Sequence, residues 1–322
     1  MNNLDVVTLG ETMVLFSTRE NLPLDYVHQF QKQIGGAESN VAIGLARLGH
    51  RVGWISKLGS DPFGQYVNKF IRGEGVDTSE VLFTEKAPTA VFFKESLSEG
   101  NVNVYYYRKG SAASMLSPHD LNEAYIRQAK FLHITGITPA LSETCNQAIY
   151  EAIEIAKRNH LTIVFDPNIR YKLFPDEDEA RKTLLAIASE ADVLLPGLDE
   201  GEFLTGESTP EKISSRLRQH KEQKVIIKLG EDGAYYQTAD GAGYVDGFPV
   251  DQVVDPVGAG DAFASGVISG LIEEKPIEAA VRQGNAMGAF VVQMNGDIEG
   301  TPTKKQLADL LDPKQNKRDV HR

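Results

Sequence analysis

Hydrophobic and polar positions follow two rhythms along this chain. Residues 4–9, LDVVTL, form an apolar run closed by Gly10, the pattern of a buried strand. Residues 11–34 are irregular and rather polar. The spacing of Val41, Leu45 and Leu48 then predicts a helix over 37–48 that stops at Gly49. A strand at 51–59 and a helix at 62–73 come next. Two β-rich runs, 88–95 and 102–108, flank SLSEGN and read as a hairpin.

From residue 118 the pattern becomes regular strand–helix alternation. FLHITG leads to a helix at 142–159, LTIVFDPN to one at 176–189, and DVLLPG to helices near 199–220. KVIIKLG precedes a hairpin at 233–246, and helices at 259–273, 276–293 and 303–311 follow. Repeated βα units imply an α/β fold: a mostly parallel sheet covered on both faces, with ligands at the strand C-terminal ends. The polar strands near 12–34 and 88–110 break that rhythm and read as a small β-sheet inserted twice, as a lid would be encoded. The expected division is a core of 1–11, 35–87 and 111–312, a lid of 12–34 and 88–110, and a polar tail at 313–322.

Composition narrows the partners. Hydrophobic residues are 41% of the 322, enough for a sizeable core, and the formal net charge of −12 argues against nucleic acid or anionic membrane as a partner. Any anionic ligand must be held by local amides and arginines against that field. One cysteine, Cys145, excludes an intrachain disulfide framework and a multi-cysteine metal site. The start MNNLDVVTLGETM has no basic segment or long apolar run, and no stretch approaches the ~20 apolar residues of a membrane span. A cytoplasmic protein is expected. The histidines show no metal-ligand spacing.

Three glycine-bearing segments compete for a phosphate: GGAESN at 35–40, KLGEDGA at 228–234 and GAGD at 258–261. None fits GxxxxGK[ST], and no GxGxxG opens the first βαβ unit, which disfavours a P-loop NTPase or a nicotinamide enzyme. GAGD lies at a predicted helix start, where free amides and the helix dipole make an anion seat. An aspartate beside an anion is odd unless it takes a proton; the plainer alternative for Asp261 is a helix N-cap.

GGAESNVAIGLARLG and DPVGAGDAF together resemble the two signature segments of the ribokinase-like (PfkB) carbohydrate kinases, in the expected order and over nearly the whole chain. The resemblance implies a three-layer α/β/α core with a β-lid, ATP used with Mg²⁺, and Asp261 as general base. The amides around Gly258, Ala259 and Gly260 would form the anion hole. Within the family the pattern is similar to that of kinases acting on 2-keto-3-deoxygluconate. That similarity implies sugar contacts from Gly36, Tyr106, Arg108, Arg170 and Asp297. Period-two alternation puts Tyr106 and Arg108 on one strand face, and an arginine pair suits a sugar-acid carboxylate. A lid arginine is expected to support little of the core.

The same resemblance implies nucleotide contacts from Asn168, Arg170, Lys228, Gly230 and Gly233, with Asn285 near the adenine. Departures are Phe92, where relatives often have tyrosine, and Gly197, where an asparagine of an N-x-x-E segment stands in many members. Glu200 remains for an indirect Mg²⁺ role, and Asp255 is a candidate for shaping a K⁺ site. An edge strand in the lid predicts a homo-oligomer. The rival readings are a same-fold kinase of fructose or another deoxy-gluconate relative, and a catalytically silent sugar sensor, which would need no general base.

Overall fold

The computed structural model describes residues 3–18, 22–98, 101–294 and 296–312. Strand β1 (Val6–Leu9) is followed by β2 (Met13–Ser17), β3 (Gln31–Gly35), helix α1 (Ala37–Arg47), β4 (Val52–Gly59) and α2 (Pro62–Gly73). Then come β5 (Val81–Thr84), β6 (Val91–Ser98), β7 (Asn101–Tyr107) and the single-turn α3 (Glu123–Ile126). Regular alternation supplies β8 (Phe131–Thr135), α4 (Glu143–Arg158), β9 (Thr162–Asp166), α5 (Glu177–Glu190) and β10 (Val193–Leu194). Helices α6 (Leu198–Thr205) and α7 (Pro210–Leu217) precede β11 (Lys224–Lys228) and the hairpin β12 (Ala234–Gln237) and β13 (Ala242–Val245). Helices α8 (Ala259–Ile272), α9 (Ile277–Val291) and α10 (Lys304–Leu311) complete the described elements.

Nine strands form one sheet in the order β13-β12-β11-β10-β9-β8-β1-β4-β5. It is parallel from β11 to β5, and β12 and β13 add an antiparallel edge. Its two faces explain the unbroken apolar runs. Val6 packs with Trp54, Leu45 and Phe263 on one side, whereas its neighbour Val7 packs with Leu132, Ile134 and Ile149 on the other. A strand covered on both faces has no polar side to show. Cys145 is buried in the second of these layers.

A separate four-stranded sheet has the order β3-β2-β6-β7. Strand β2 runs antiparallel to β3 and parallel to β6, and β6 pairs antiparallel with β7. The stretch read as irregular at 11–34 thus supplies two lid strands, and a 3₁₀ turn at Leu24–Tyr26 lies between them. Strand β5 escaped the pattern because it is a short sheet edge with Leu82 and Phe83 exposed. DVLLPG holds strand geometry only at Val193–Leu194, since Pro196 has no amide for the ladder. The tip of the hairpin at 99–100 and the polar tail 313–322 lie outside the described residues.

Candidate active site

The C-terminal ends of β1, β9 and β11, the first turns of α1 and α8, and the lid strands β6 and β7 enclose a cavity of about 400 Å³. Of the residues singled out from sequence, Gly36, Tyr106, Arg108, Arg170 and Asp297 line it. So do Asn168, Lys228, Glu200, Gly258, Gly260 and Asp261. Period two in the lid works as anticipated and extends further. Phe92 and Lys94 of β6, with Val104 and Tyr106 of β7, all face the cavity. Phe92 lies directly opposite Tyr106, and the two rings stack at 5.6 Å, so an apolar face stands where a tyrosine hydroxyl was considered.

Helix α8 begins without a side-chain cap. Gly258 holds the N-cap position at φ 84°, and a Cβ there would lie 2.3 Å from the Asp297 carbonyl oxygen. Both the left-handed conformation and the close approach require glycine. The amides of Ala259, Gly260 and Asp261 follow at the helix mouth, the arrangement that favours an anion. Asp261 is therefore not the cap but the third helical residue. Its Oδ2 accepts a hydrogen bond from Nδ2 of Asn40 at 2.8 Å, and its Oδ1 one from Nδ2 of Asn168 at 3.3 Å. Burial pushes its carboxyl up to about 6, although the Asn40 bond and the nearby Arg170 and Lys228 charges oppose the rise. A carboxylate so held and so poised can take a proton near neutral pH.

The cations of the cavity differ in how far they are committed. Lys228 donates to both oxygens of Asp166 at 2.9 and 2.8 Å. Burial works against its ammonium, but Asp166 and Glu200 outweigh that and hold its pKa above the usual lysine value. Arg108 is buried and directs Nε and Nη2 to one oxygen of Glu11, at 2.8 and 2.7 Å. Its guanidinium carbon lies 5.5 Å from the centre of the Tyr106 ring. Ser111 donates to the other Glu11 oxygen. The expectation that a lid arginine supports little of the core meets a buried ion pair: Arg108 neutralises a carboxylate whose side chain is 1% exposed. Arg170 is exposed at the rim and has no ion-pair partner among the described residues.

Several other residues named from sequence are occupied by structural work. Asn285 lies outside the cavity lining, and its Nδ2 donates to the carbonyls of Val245 and Asp246, which ties α9 to the end of β13. Gly233, at φ 95°, turns the chain where a Cβ would lie 2.1 Å from the Val245 carbonyl oxygen, and Gly230 opens the same turn. Glu200 accepts the amides of Ile169 and Gly197 at 2.8 and 2.7 Å. Gly197 thus serves as the N-cap of α6 without a side chain of its own. Among the described residues no three acidic, histidine or cysteine side chains cluster as a metal site.

Sequence reasoning passed over Glu11, Glu38, Asn40, Lys94 and Asp166. Glu38 is fully buried at the cavity wall, where Thr135 and Thr138 donate to its Oε1 and burial raises its pKa. Glu11 and Asp166 stand at or just beyond the ends of β1 and β9, the place where open parallel sheets gather ligand-facing groups. That rule, applied strand by strand, could have found both.

A parallel sheet, a helix mouth of free amides and a buried carboxyl side chain meeting in one lidded cavity are an arrangement suited to phosphoryl transfer. The chain belongs to the pfkB family of carbohydrate kinases, whose family model matches residues 3–304, and it is a sugar kinase. It is 45% identical to a 2-dehydro-3-deoxygluconokinase of Bacillus subtilis over 96% of this chain and 95% of that protein. Among solved structures it resembles a PfkB protein from Polaromonas sp. JS666, with a TM-score of 0.88, 41% identity, and coverage of 95% of this chain and 99% of the other. A fructokinase double mutant from Vibrio cholerae O395, solved with fructose, ADP and potassium ion bound, superposes with a TM-score of 0.85. It shares 26% identity over 97% of this chain and all of that one. No helix among the described residues is long and apolar enough to cross a membrane.

Proposed function

We propose that this chain transfers the γ-phosphoryl group of ATP to the terminal hydroxyl of 2-keto-3-deoxygluconate, giving the 6-phosphate. The observation that carries the reading is the meeting of Asp261, the α8 mouth, Arg108 and Arg170 around one cavity. Asp261 takes the hydroxyl proton as the sugar oxygen bonds to phosphorus and the bond from phosphorus to the ADP oxygen breaks. Asn40 and Asn168 hold its carboxylate in line. Amides of Ala259, Gly260 and Asp261 accept the charge that develops on the transferred group. Lys228, whose ammonium lies 3.7 Å from a Cβ built on Gly260, adds a fixed positive charge beside that seat.

Arg170 and the cavity-facing guanidinium of Arg108 supply donors for the substrate carboxylate, with Tyr106, Gly36 and Asp297 reading the hydroxyls. Asn168 and Lys228 take the nucleotide side within the cavity, and Gly230, Gly233 and Asn285, outside its lining, would reach the nucleotide only beyond the cavity mouth. Mg²⁺ would supply charge neutralisation for the ATP phosphates, and Glu200, which lines the cavity, would be the residue to hold it indirectly through water. Residues 12–34 and 88–110 act as the lid over the core of 1–11, 35–87 and 111–312. The lid face turned away from the cavity is aromatic, with Phe93 against Phe16 at 5.2 Å and Tyr107 at 5.7 Å. This apolar face supports a homo-oligomer.

The test is a coupled ADP-release assay across sugar acids and neutral sugars. One charge-assisted hydrogen bond contributes roughly 1.5–3 kcal/mol. The kcat/KM for 2-keto-3-deoxygluconate should therefore exceed that for fructose or ribose by about ten- to a hundredfold. Equal kcat/KM for fructose would move the assignment to a fructokinase and leave the phosphotransfer chemistry standing.

A further inference from the structure

Lys94 is a buried cavity lysine to which phosphoryl transfer, as read above, gives no task. It sits on β6 with 9% exposure, and its ammonium is in direct contact with Oδ2 of Asp255. Asp255 precedes Gly258 by three residues and shapes the turn into α8. Its Oδ1 accepts the Val257 amide at 3.1 Å and its Oδ2 the Gly296 amide at 3.4 Å. The turn that aims the anion-seat amides is therefore built on a carboxylate whose charge is balanced from the lid.

The family resemblance offered Asp255 for a K⁺ site, and the Vibrio cholerae fructokinase was solved with potassium bound. The residues here do not fit that ion. Both Asp255 oxygens accept amides, one of them also holds an ammonium, and a second monovalent cation beside that oxygen would meet a like charge. We propose that the Lys94 ammonium is a built-in monovalent cation for the turn ahead of α8, so that this chain phosphorylates its sugar without potassium. An ammonium has the charge and about the size of the ion it replaces. Held on a lid strand, it also joins lid and anion seat. Lys94 is thus a positioning residue, acting through Asp255. The proposal rests on the phosphoryl-transfer reading but not on the choice of sugar.

Initial rates are measured with whichever sugar turns over, at fixed ionic strength, in tetramethylammonium, sodium, potassium or ammonium chloride. Wild-type kcat should vary by less than about twofold, while Lys94→Met should lose roughly tenfold or more in tetramethylammonium. Potassium or ammonium should restore the variant, and the larger tetramethylammonium ion should not. Melting without substrates gives an independent readout. Potassium should raise the Tm of Lys94→Met relative to tetramethylammonium and leave wild type unmoved. Potassium activation of wild type by more than about tenfold would overturn the proposal. So would a folded Lys94→Met that no small cation rescues, or one fully active without them. If Lys94→Met does not fold, Lys94→Gln takes its place, and the wild-type salt series stands without any variant. A chain that turns over no sugar defeats the functional reading alone, because the melting comparison still reads the ion.

Discussion

Asp261 stands three residues into α8, and neither of its oxygens serves the helix that carries it. This separates catalysis from folding more cleanly than the sequence could, where an N-cap role competed. Asp261→Asn keeps the shape and leaves Gly258 as the cap, so the fold should survive with kcat reduced by about 10²–10⁴-fold. Full activity in that variant would remove the general base from the scheme. The pH profile follows from the same environment. With the carboxyl pushed up to about 6 by burial, the free enzyme holds a usable base only above that value. The kcat/KM should therefore fall tenfold per pH unit below about 6 and level off above it. A limb centred near 4 would mean that water around the open site cancels the burial.

At the scale of elements, the end of β7 binds the lid to the core. Arg108 follows the strand's last residue and meets Glu11, which follows β1 by two residues, so one ion pair spans the two sheets. Removing one partner of a buried pair leaves an uncompensated charge and costs about 3–5 kcal/mol. Arg108→Ala should accordingly lose both sugar-acid affinity and thermal stability. Adding Glu11→Gln should recover much of the Tm and none of the affinity for the acid. A single variant with wild-type Tm would show that Glu11 finds solvent or protonates at little cost. The expectation from sequence, that a lid arginine supports little, did not include this pair, because strand alternation shows which face a residue occupies and not what waits across from it.

Across the whole molecule the formal net charge is −12, and within the cavity lining Glu11, Glu38, Glu200, Asp261 and Asp297 stand among Lys94, Arg108, Arg170 and Lys228. Asp297 is buried with Oδ1 lacking a hydrogen-bond partner among the described residues, and its carboxyl is pushed up to about 7 by burial, with Asp261 and Asp255 adding to the rise and Lys94 opposing it. A raised carboxyl pKa means that the fold prefers the protonated form. The penalty begins as pH passes the ordinary value of 3.8 and is complete above about 7. Asp297→Asn should therefore raise the Tm measured at pH 8 and raise it less at pH 5, while weakening sugar binding. An equal change at both pH values would show that the gain comes from packing rather than from relieved charge. Such a trade of stability for a site is common in binding cavities.

What the sequence determined by itself is local or carried by contiguous motifs. Apolar runs fixed β1, β4, β8, β9 and β11 because a strand buried on both faces must be apolar throughout, and glycine stops with helical spacing fixed α1. The two signature segments located Gly36 and the turn at Gly258–Asp261, since close backbone approach and positive φ leave their mark on residue type. Tertiary structure alone decided the pairings: Asn40 with Asp261 across 221 positions, Arg108 with Glu11 across 97, and Lys94 with Asp255 across 161. It also decided that Asn285 faces a strand end. A charged or amide side chain is identical in sequence whether it meets water, a ligand or a distant partner. The difference comes from which strand ends the parallel sheet brings together, and that is a property of the folded chain.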